Sequence, residues 1–126
     1  MKGVLGTMII ISILVPFCFA EGPTGIRGFV YDHNGNLAGN KLHKIFIIRL
    51  DEPGNASYYY SAGTSYWITN DSYGLVPGTW GIYGETIENG THYYSPLYSH
   101  QWTYGQLIDQ DIHCTSLFPP DIPYMY

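Results

Sequence analysis

The chain has 126 residues, five Lys and Arg against ten Asp and Glu, and a formal net charge of −5 at neutral pH. An acidic chain with so few cations lacks the electrostatic footprint of a nucleic-acid-binding protein, so we expect no nucleic-acid partner. Its length suits a single domain with one hydrophobic core. Aromatic residues make up 17% of the chain, and charged residues only 12%.

Residues 1–20 predict a removable signal peptide. Lys2 supplies a positive charge, and an apolar segment follows at Met8–Val15. The small residues Cys18 and Ala20 stand at the third and first positions before a cleavage site. We therefore expect a secreted or cell-surface protein whose mature chain begins at Glu21.

An uncleaved N-terminal anchor is the alternative for this segment. The apolar run Val4–Ala20 is interrupted by Gly6 and Pro16, and a bilayer span needs about 20 apolar residues. Attachment of a lipid at Cys18 is disfavoured because the bulky Phe17 precedes it. Once the signal is removed, we expect no contact with a membrane. Cys114 is then the only cysteine, and we expect it to be buried and inert.

Strand-forming residues and turn signals alternate along the rest of the chain, and this pattern predicts an all-β sandwich or barrel. Asn34-Gly35, Pro53-Gly54, Pro77-Gly78 and Asn89-Gly90 mark turns. The predicted strands are Gly25–Asp32, Lys41–Leu50, Ser57–Ser61, Ser65–Thr69, Thr79–Ile87, Thr91–Ser99 and Gln101–Ile108. Asn70–Gly74 is predicted as a further turn.

Two strands supply most of the predicted core. The run Ile45–Ile48 is apolar on both faces, as in a central strand covered from both sides. In the strand that follows Pro77-Gly78, Trp80 and Ile82 share one face, while Tyr83 and Glu85 share the other. The core is predicted to centre on Val30, Ile45, Ile47, Trp80 and Ile82.

Two motifs resemble a known family. The first runs from Gly28, Val30 and Asp32 through Asn34-Gly35 to Leu37-Ala38-Gly39 and Leu42. The second runs from Asp71 and Gly74 into Leu75-Val76-Pro77-Gly78-Thr79-Trp80. Together they resemble carboxypeptidase-regulatory-like domains of the transthyretin-like (prealbumin-like) group, over about residues 25–87.

The resemblance implies an Ig-like/prealbumin-like antiparallel β-sandwich over residues 21–116. It also implies a non-catalytic accessory or repeated unit of an extracellular protein. Some transthyretin relatives are hydrolases with a short C-terminal signature, but this chain ends in Pro-Tyr-Met-Tyr. No catalytic residue is therefore carried over.

Three N-x-Ser/Thr sequons stand at Asn55, Asn70 and Asn89, all in predicted turns. Chance alone would give about one sequon in such a chain. We therefore predict glycosylation at one or more of the three, and Asn70 is the weakest because Asp71 occupies its middle position.

Metal and catalytic patterns are weak. The segment Asp32–Asn36 echoes the start of a calcium loop, yet an Asx-stabilised turn is the preferred interpretation. A calcium site between Asp109 and Asp111 has no better support. The five histidines show neither H-x-H nor HExxH spacing. We expect no cofactor, no metal and no enzymatic activity.

The aromatic residues exceed what one small core can bury, so some must lie at the surface. Tyr58, Tyr60, Trp67 and Trp102 are the predicted ligand or interface aromatics. The first hypothesis is a structural subunit that associates with its own copies or with other cell-surface proteins through strand and tail contacts. The alternative is a small carbohydrate-binding module that uses exposed Trp and Tyr rings.

The final segment, residues 117–126, is predicted to be an extended, proline-rich apolar tail. Such a tail lies either along its own domain or on a neighbouring copy. We expect contacts between copies, since a free apolar tail is a liability in water.

Overall fold

A computed structural model describes residues 22–52, 56–59 and 63–122, except for the side chains of 56–58. Strands dominate this part of the chain, and the predicted all-β class is confirmed. The elements are β1 (Gly25–Tyr31), a 3₁₀ turn (Gly39–Lys41), β2 (Leu42–Arg49), β3 (Ala56–Tyr59), β4 (Ser65–Ile68), α1 (Asn70–Tyr73), β5 (Gly78–Glu88), β6 (Thr91–Tyr94), β7 (Tyr98–Trp102), β8 (Leu107–Asp109) and β9 (Ile112–His113).

The first sheet is built around β1. Strand β4 pairs with it in the antiparallel sense along one edge, while β8 and β9 pair in the parallel sense along the other. The expectation of antiparallel pairing is therefore wrong for β8 and β9, although it holds for β4. After β7 the chain crosses to β1 and runs beside it in the same direction.

Gly28 permits this close parallel approach. A Cβ at this position would lie 2.0 Å from the backbone oxygen of Gln110. The backbone N–H of Gln110 donates to the oxygen of Arg27 at 2.8 Å. Between β8 and β9, the Asp111 carboxylate accepts the backbone N–H of Phe29 at 2.9 Å. A side chain at position 28 would force the two segments apart.

The second sheet has the order β3-β2-β5, and both β6 and β7 pair with β5. The prediction of one continuous strand over Thr91–Ser99 is wrong. Tyr94 lies opposite Glu85, but Tyr98 lies opposite Ile82. The segment between them therefore has one residue more than its partner, which is a β-bulge.

Ser95 and Pro96 form this bulge. Proline has no backbone N–H to give to the ladder. Ser95 keeps the bulge attached, because its N–H donates to the Gly84 oxygen at 3.0 Å and its hydroxyl accepts the Gly84 N–H at 2.9 Å.

Turn chemistry was predicted more accurately than strand ends. Asn89 and Gly90 have φ values of 53° and 83°, so the predicted hairpin is confirmed. The predicted strand over Gln101–Ile108 is wrong, because Thr103–Gln106 is a turn in which the Gln106 N–H donates to the Thr103 oxygen. Gly105 takes the positive φ that this turn requires.

The turn predicted at Asn70–Gly74 forms α1, a single helical turn. The Thr69 hydroxyl accepts the Ser72 N–H at 3.1 Å and caps the start. Gly74 ends the turn in the left-handed conformation, with φ 69°.

The predicted core is confirmed. All five of its predicted members are buried, and they belong to one apolar cluster that draws on both sheets. The expected burial of Cys114 is also confirmed. The cluster further contains Ile26, Tyr66, Ile68, Leu75, Trp102 and Ile112.

The two ends of the chain are only partly described. The predicted signal peptide, residues 1–20, lies outside the described residues, as do the last four residues of the predicted tail. Across 22–52, 56–59 and 63–122, no helix is both long and apolar enough to cross a membrane.

Candidate functional site: two exposed apolar surfaces

The outward side of the β1 sheet carries exposed rings. We call the group formed by Arg27, Phe29, Ser65, Trp67 and Asp109 the aromatic face. Phe29 is 50% exposed and Trp67 is 43% exposed, as predicted for Trp67. These residues share one side of the sheet because their strands place Arg27 opposite Trp67 and Asp109, and Phe29 opposite Ser65.

Trp67 is held firmly in this face. Its indole N–H donates to the Thr24 oxygen at 2.9 Å. The Arg27 guanidinium lies 5.4 Å from the centre of the Trp67 ring and donates to Asp109 at 3.1 Å. Asp109, Arg27 and Trp67 therefore form a ladder across three strands. Polar groups contact the Trp67 ring in this way, whereas the Phe29 ring is half exposed.

The C-terminal segment forms the second surface. Ser116 exchanges two backbone hydrogen bonds with Tyr94, at 2.7 and 2.9 Å, and Ile122 is buried. The backbone up to residue 122 thus follows its own domain, which is the first of the two fates considered for the tail. Leu117 and Phe118 nevertheless point outward, with 58% and 75% exposure. We call these two residues the tail surface.

Of the four predicted surface aromatics, Trp67 and Trp102 have described side chains, and these two differ in exposure. The expectation that the Trp102 ring is exposed is wrong, since it is 3% exposed. Trp102 ends β7 facing the core, and its indole N–H donates to the Gln106 oxygen at 2.9 Å across the following turn. The side chain of Tyr58 and the whole of Tyr60 lie outside the described residues.

The outward side of the β5 sheet holds a group that the sequence did not reveal. Glu85 is only 5% exposed although it points away from the core. His43 and His92 each place Nδ1 against its carboxylate, at 3.1 and 2.5 Å. His43 reaches it because the register of β2 shifts at a bulge between Leu42 and Lys44.

Glu85 is ionised despite its burial. Burial alone raises the pKa of this carboxyl, but hydrogen bonds from His92, His43 and Tyr94 outweigh it and lower the pKa below its ordinary value. Both imidazoles are aimed at the same carboxylate, so the group ties β2, β5 and β6 together. No local pattern in the sequence predicts it, because the three strands meet only in the folded sheet.

The Asp32 turn is confirmed as an Asx-stabilised turn. One carboxylate oxygen of Asp32 accepts the backbone N–H groups of Asn34 and Asn36, at 2.9 and 3.0 Å. The other accepts Lys41 Nζ at 2.8 Å, and this hydrogen bond is the main reason that the pKa of Asp32 is lowered. Within the described part of the chain, no three His, Cys, Asp or Glu side chains are grouped to hold a metal ion.

Cys114 is a buried thiol. Burial is the main cause that raises its pKa to about 12. The thiolate form required for nucleophilic attack is therefore scarce at neutral pH, and the side chain packs as part of the apolar core.

The three sequons differ in accessibility. Asn89 and Thr91 are both exposed at the β5–β6 hairpin. Asn70 is exposed in α1, but its amide Nδ2 donates to the Leu75 oxygen at 2.8 Å. Asn55 lies outside the described residues. Glycosylation stays a prediction at all three positions.

The chain was compared with known protein families, curated proteins and solved structures. No protein-family model, no curated protein and no solved structure matches this chain. The resemblance to carboxypeptidase-regulatory-like domains therefore remains a prediction from its two motifs. In the structure the first motif forms the Asx turn after β1, and the second surrounds α1 and the start of β5.

Proposed function

We propose that this chain is a secreted, N-glycosylated and non-enzymatic β-sandwich protein that serves as a cell-surface or extracellular structural subunit. Copies of the chain associate through the tail surface of one copy and the aromatic face of the next. The proposal rests on the predicted signal peptide, the sequons and the placement of exposed apolar side chains.

The sandwich is supported by the shared core. Val30 comes from the first sheet and Ile45 and Ile82 from the second, yet all three belong to one buried cluster. Two sheets that bury one common cluster support the layered arrangement that we propose, an Ig-like/prealbumin-like sandwich. The buried carboxylates Asp32 and Glu85 are occupied by partners from neighbouring elements, which favours a structural role for them over a catalytic one.

The observation that carries the proposal is the separation of the two exposed apolar surfaces. Phe29 and Trp67 lie on the β1 sheet, whereas Phe118 lies in a concavity that also contains Ser95 and Pro96 at the bulge of the other sheet. Neither surface covers the other within one chain. Contiguous apolar patches that are left exposed and are rimmed by polar residues mark interaction sites.

The aromatic face suits such a contact because it is concave. Phe29, Tyr66 and Trp67 line a depression together with Arg27 and Ser65. Phe118 lies in a short loop, where the Ser116 hydroxyl accepts its backbone N–H at 3.1 Å, and its side chain is 75% exposed. A contact between two different surfaces is heterologous, and when it is repeated it produces a closed ring or an open chain of subunits.

The alternative, a carbohydrate-binding module, has weaker support. It requires two or three flat rings on one face, but Trp102 is buried and Arg27 lies over Trp67. Retention of the secreted protein on polysaccharide columns would favour this alternative.

Sedimentation velocity of the mature protein over a concentration series tests the association. We expect larger species to grow with concentration, and we expect Phe29→Thr or Phe118→Ser to shift the distribution to the monomer. Tyr104→Ser is the matched control, because it removes an exposed ring in another turn. A monomer at all concentrations, or equal effects of all three variants, would contradict the proposal.

Secretion is tested separately by the N-terminal sequence of the extracellular protein. We expect it to begin at Glu21 and to carry the mass of at least one glycan. Residues 1–20 retained in the extracellular form would contradict the predicted cleavage.

A further inference from the structure

A polar concavity lies beside the tip of the β5–β6 hairpin. We call it the hairpin-tip concavity, and its volume of about 560 Å³ falls within the range of about 300–1,000 Å³ that is typical of ligand pockets. It brings together the loop after β1, the 3₁₀ turn and the hairpin. Its lining residues are His33, Asn34, Asn40, Lys41, Glu88, Asn89, Thr91 and Tyr93.

The charged groups of this concavity are already paired. The buried Glu88 accepts the Thr86 hydroxyl at 2.7 Å and lies 2.5 Å from His33 Nδ1. Lys41 donates to Asp32 at 2.8 Å. A charged ligand would have to compete with these pairs. The concavity therefore offers a strongly charged ligand little to bind.

What remains at its surface suits a neutral carbohydrate. Asn34, Asn40 and Thr91 are exposed and present amide and hydroxyl groups. Tyr93 adds an aromatic ring, which stacks on His33 with 4.3 Å between ring centres and 2° between planes. Amides, a hydroxyl and a fixed ring are the groups that hydrogen-bond and pack against a pyranose.

Asn89 itself lines this concavity, and it is a predicted glycosylation site. Its φ of 53° belongs to the hairpin turn, and its side chain is exposed. A sugar joined to the Asn89 amide would start within the concavity. Covalent attachment gives it a high effective concentration, so even a weak pocket is occupied.

We propose that the first N-acetylhexosamine of a glycan on Asn89 packs into the hairpin-tip concavity against Asn40 and Tyr93. The packed sugar stabilises the hairpin by joining it to the 3₁₀ turn before β2. Asn70 has no comparable arrangement, because its amide donates to the Leu75 oxygen within its own turn. This inference rests on the secreted, glycosylated state proposed above and assigns a structural partner to one glycan.

The test uses full-length protein secreted from eukaryotic cells, with Asn89 occupancy measured by peptide mass spectrometry. We expect occupied Asn89. We also expect the Tm to stay unchanged when an endoglycosidase trims each glycan to a single N-acetylglucosamine. Asn89→Asp, which has no sugar at this position but keeps a residue type suited to the positive φ of the turn, should lower Tm by about 4 °C.

A double-mutant cycle then identifies the pocket. Asn40→Ala should remove most of the Tm difference between the Asn89 glycoform and Asn89→Asp. Asn36→Ala is the matched control, because Asn36 is an exposed asparagine in the same loop region and does not line the concavity. It should leave that difference intact.

Three results would overturn the inference: an unoccupied Asn89, a Tm that does not depend on the Asn89 sugar, or equal coupling to Asn40 and Asn36. The proposed function fails independently of these results. Sedimentation tests association, and N-terminal sequencing tests secretion. The Tm and the glycan occupancy of Asn89 test the packing of the sugar.

Discussion

The outward sides of the two sheets differ in how far their large side chains are covered by neighbouring residues. On the β5 sheet, Phe46 and Tyr83 stack with 4.4 Å between ring centres, and Glu85 lies beneath two histidines and Tyr94. On the β1 sheet, Phe29 remains half exposed. The first surface is covered by contacts among its own side chains, and we propose that another copy covers the second.

This difference predicts that one group of residues stabilises the fold and another mediates association. Residues that complete the β5 sheet should affect the free energy of unfolding and leave association unchanged. Residues of the aromatic face and the tail surface should do the reverse. The following substitutions are ordered by their expected effect on stability.

Truncation of the core that both sheets share should have the largest effect. Trp80 is buried, and its indole N–H donates to the Val76 oxygen at 2.8 Å. Trp80→Ala should lower the free energy of unfolding by about 3–5 kcal/mol in chemical denaturation. Trp67→Ala is the comparison, and its cost should be clearly smaller because the ring is 43% exposed. Similar costs for the two tryptophans would place Trp80 outside the core.

Removal of the charge beneath the histidines should have an intermediate effect. Glu85→Gln should lower the free energy of unfolding at neutral pH by about 1–2 kcal/mol, because it weakens hydrogen bonds to a charged group. The matched control is Glu52→Gln, since Glu52 is an exposed carboxylate.

The effect of Glu85 also has a predicted pH dependence. The folded pKa of Glu85 lies below its ordinary value of 4.5, so the unfolded chain takes up the proton first as pH falls. Its contribution is complete above about pH 4.5 and is lost as pH falls through the folded pKa. The gap between wild type and Glu85→Gln should therefore narrow in denaturation at acidic pH. A gap that widens there would contradict the lowered pKa.

The smallest effect on stability should come from the aromatic face. Phe29→Thr removes a half-exposed ring from β1 and should change the free energy of unfolding by no more than about 0.5 kcal/mol. Phe46→Thr on the other sheet is the comparison, and it should cost more because it breaks the stack with Tyr83. If chemical denaturation gave the two variants the same change in free energy of unfolding, the proposed difference between the two sheets would be contradicted.

Local patterns in the sequence predicted the parts of the fold that depend on neighbours along the chain. The continuous apolar run Ile45–Ile48 and the alternation that includes Trp80 and Ile82 identified core residues, and Asn89-Gly90 identified the hairpin. These features follow from the pleat of a strand and the φ preferences of two turn residues. Both are properties of short segments.

Features that depend on distant segments were not predicted. The pairing of β1 with β8 joins Arg27 to Asp109 across 82 residues, and nothing near either residue indicates it. Burial of Trp102 depends on where β7 ends against the core. The meeting of His43 with Glu85 depends on a bulge in β2. Each of these features arises from tertiary pairing, which a single local pattern does not encode.

A mixing experiment tests the contact between tail and aromatic face most directly. Phe29→Thr keeps its tail surface, and Phe118→Ser keeps its aromatic face. Each variant alone should therefore sediment as a monomer. An equimolar mixture should form a dimer, because the intact Phe118 of one variant meets the intact Phe29 of the other. A mixture that stays monomeric while the wild type associates would contradict the head-to-tail contact, and so would variants that each associate alone.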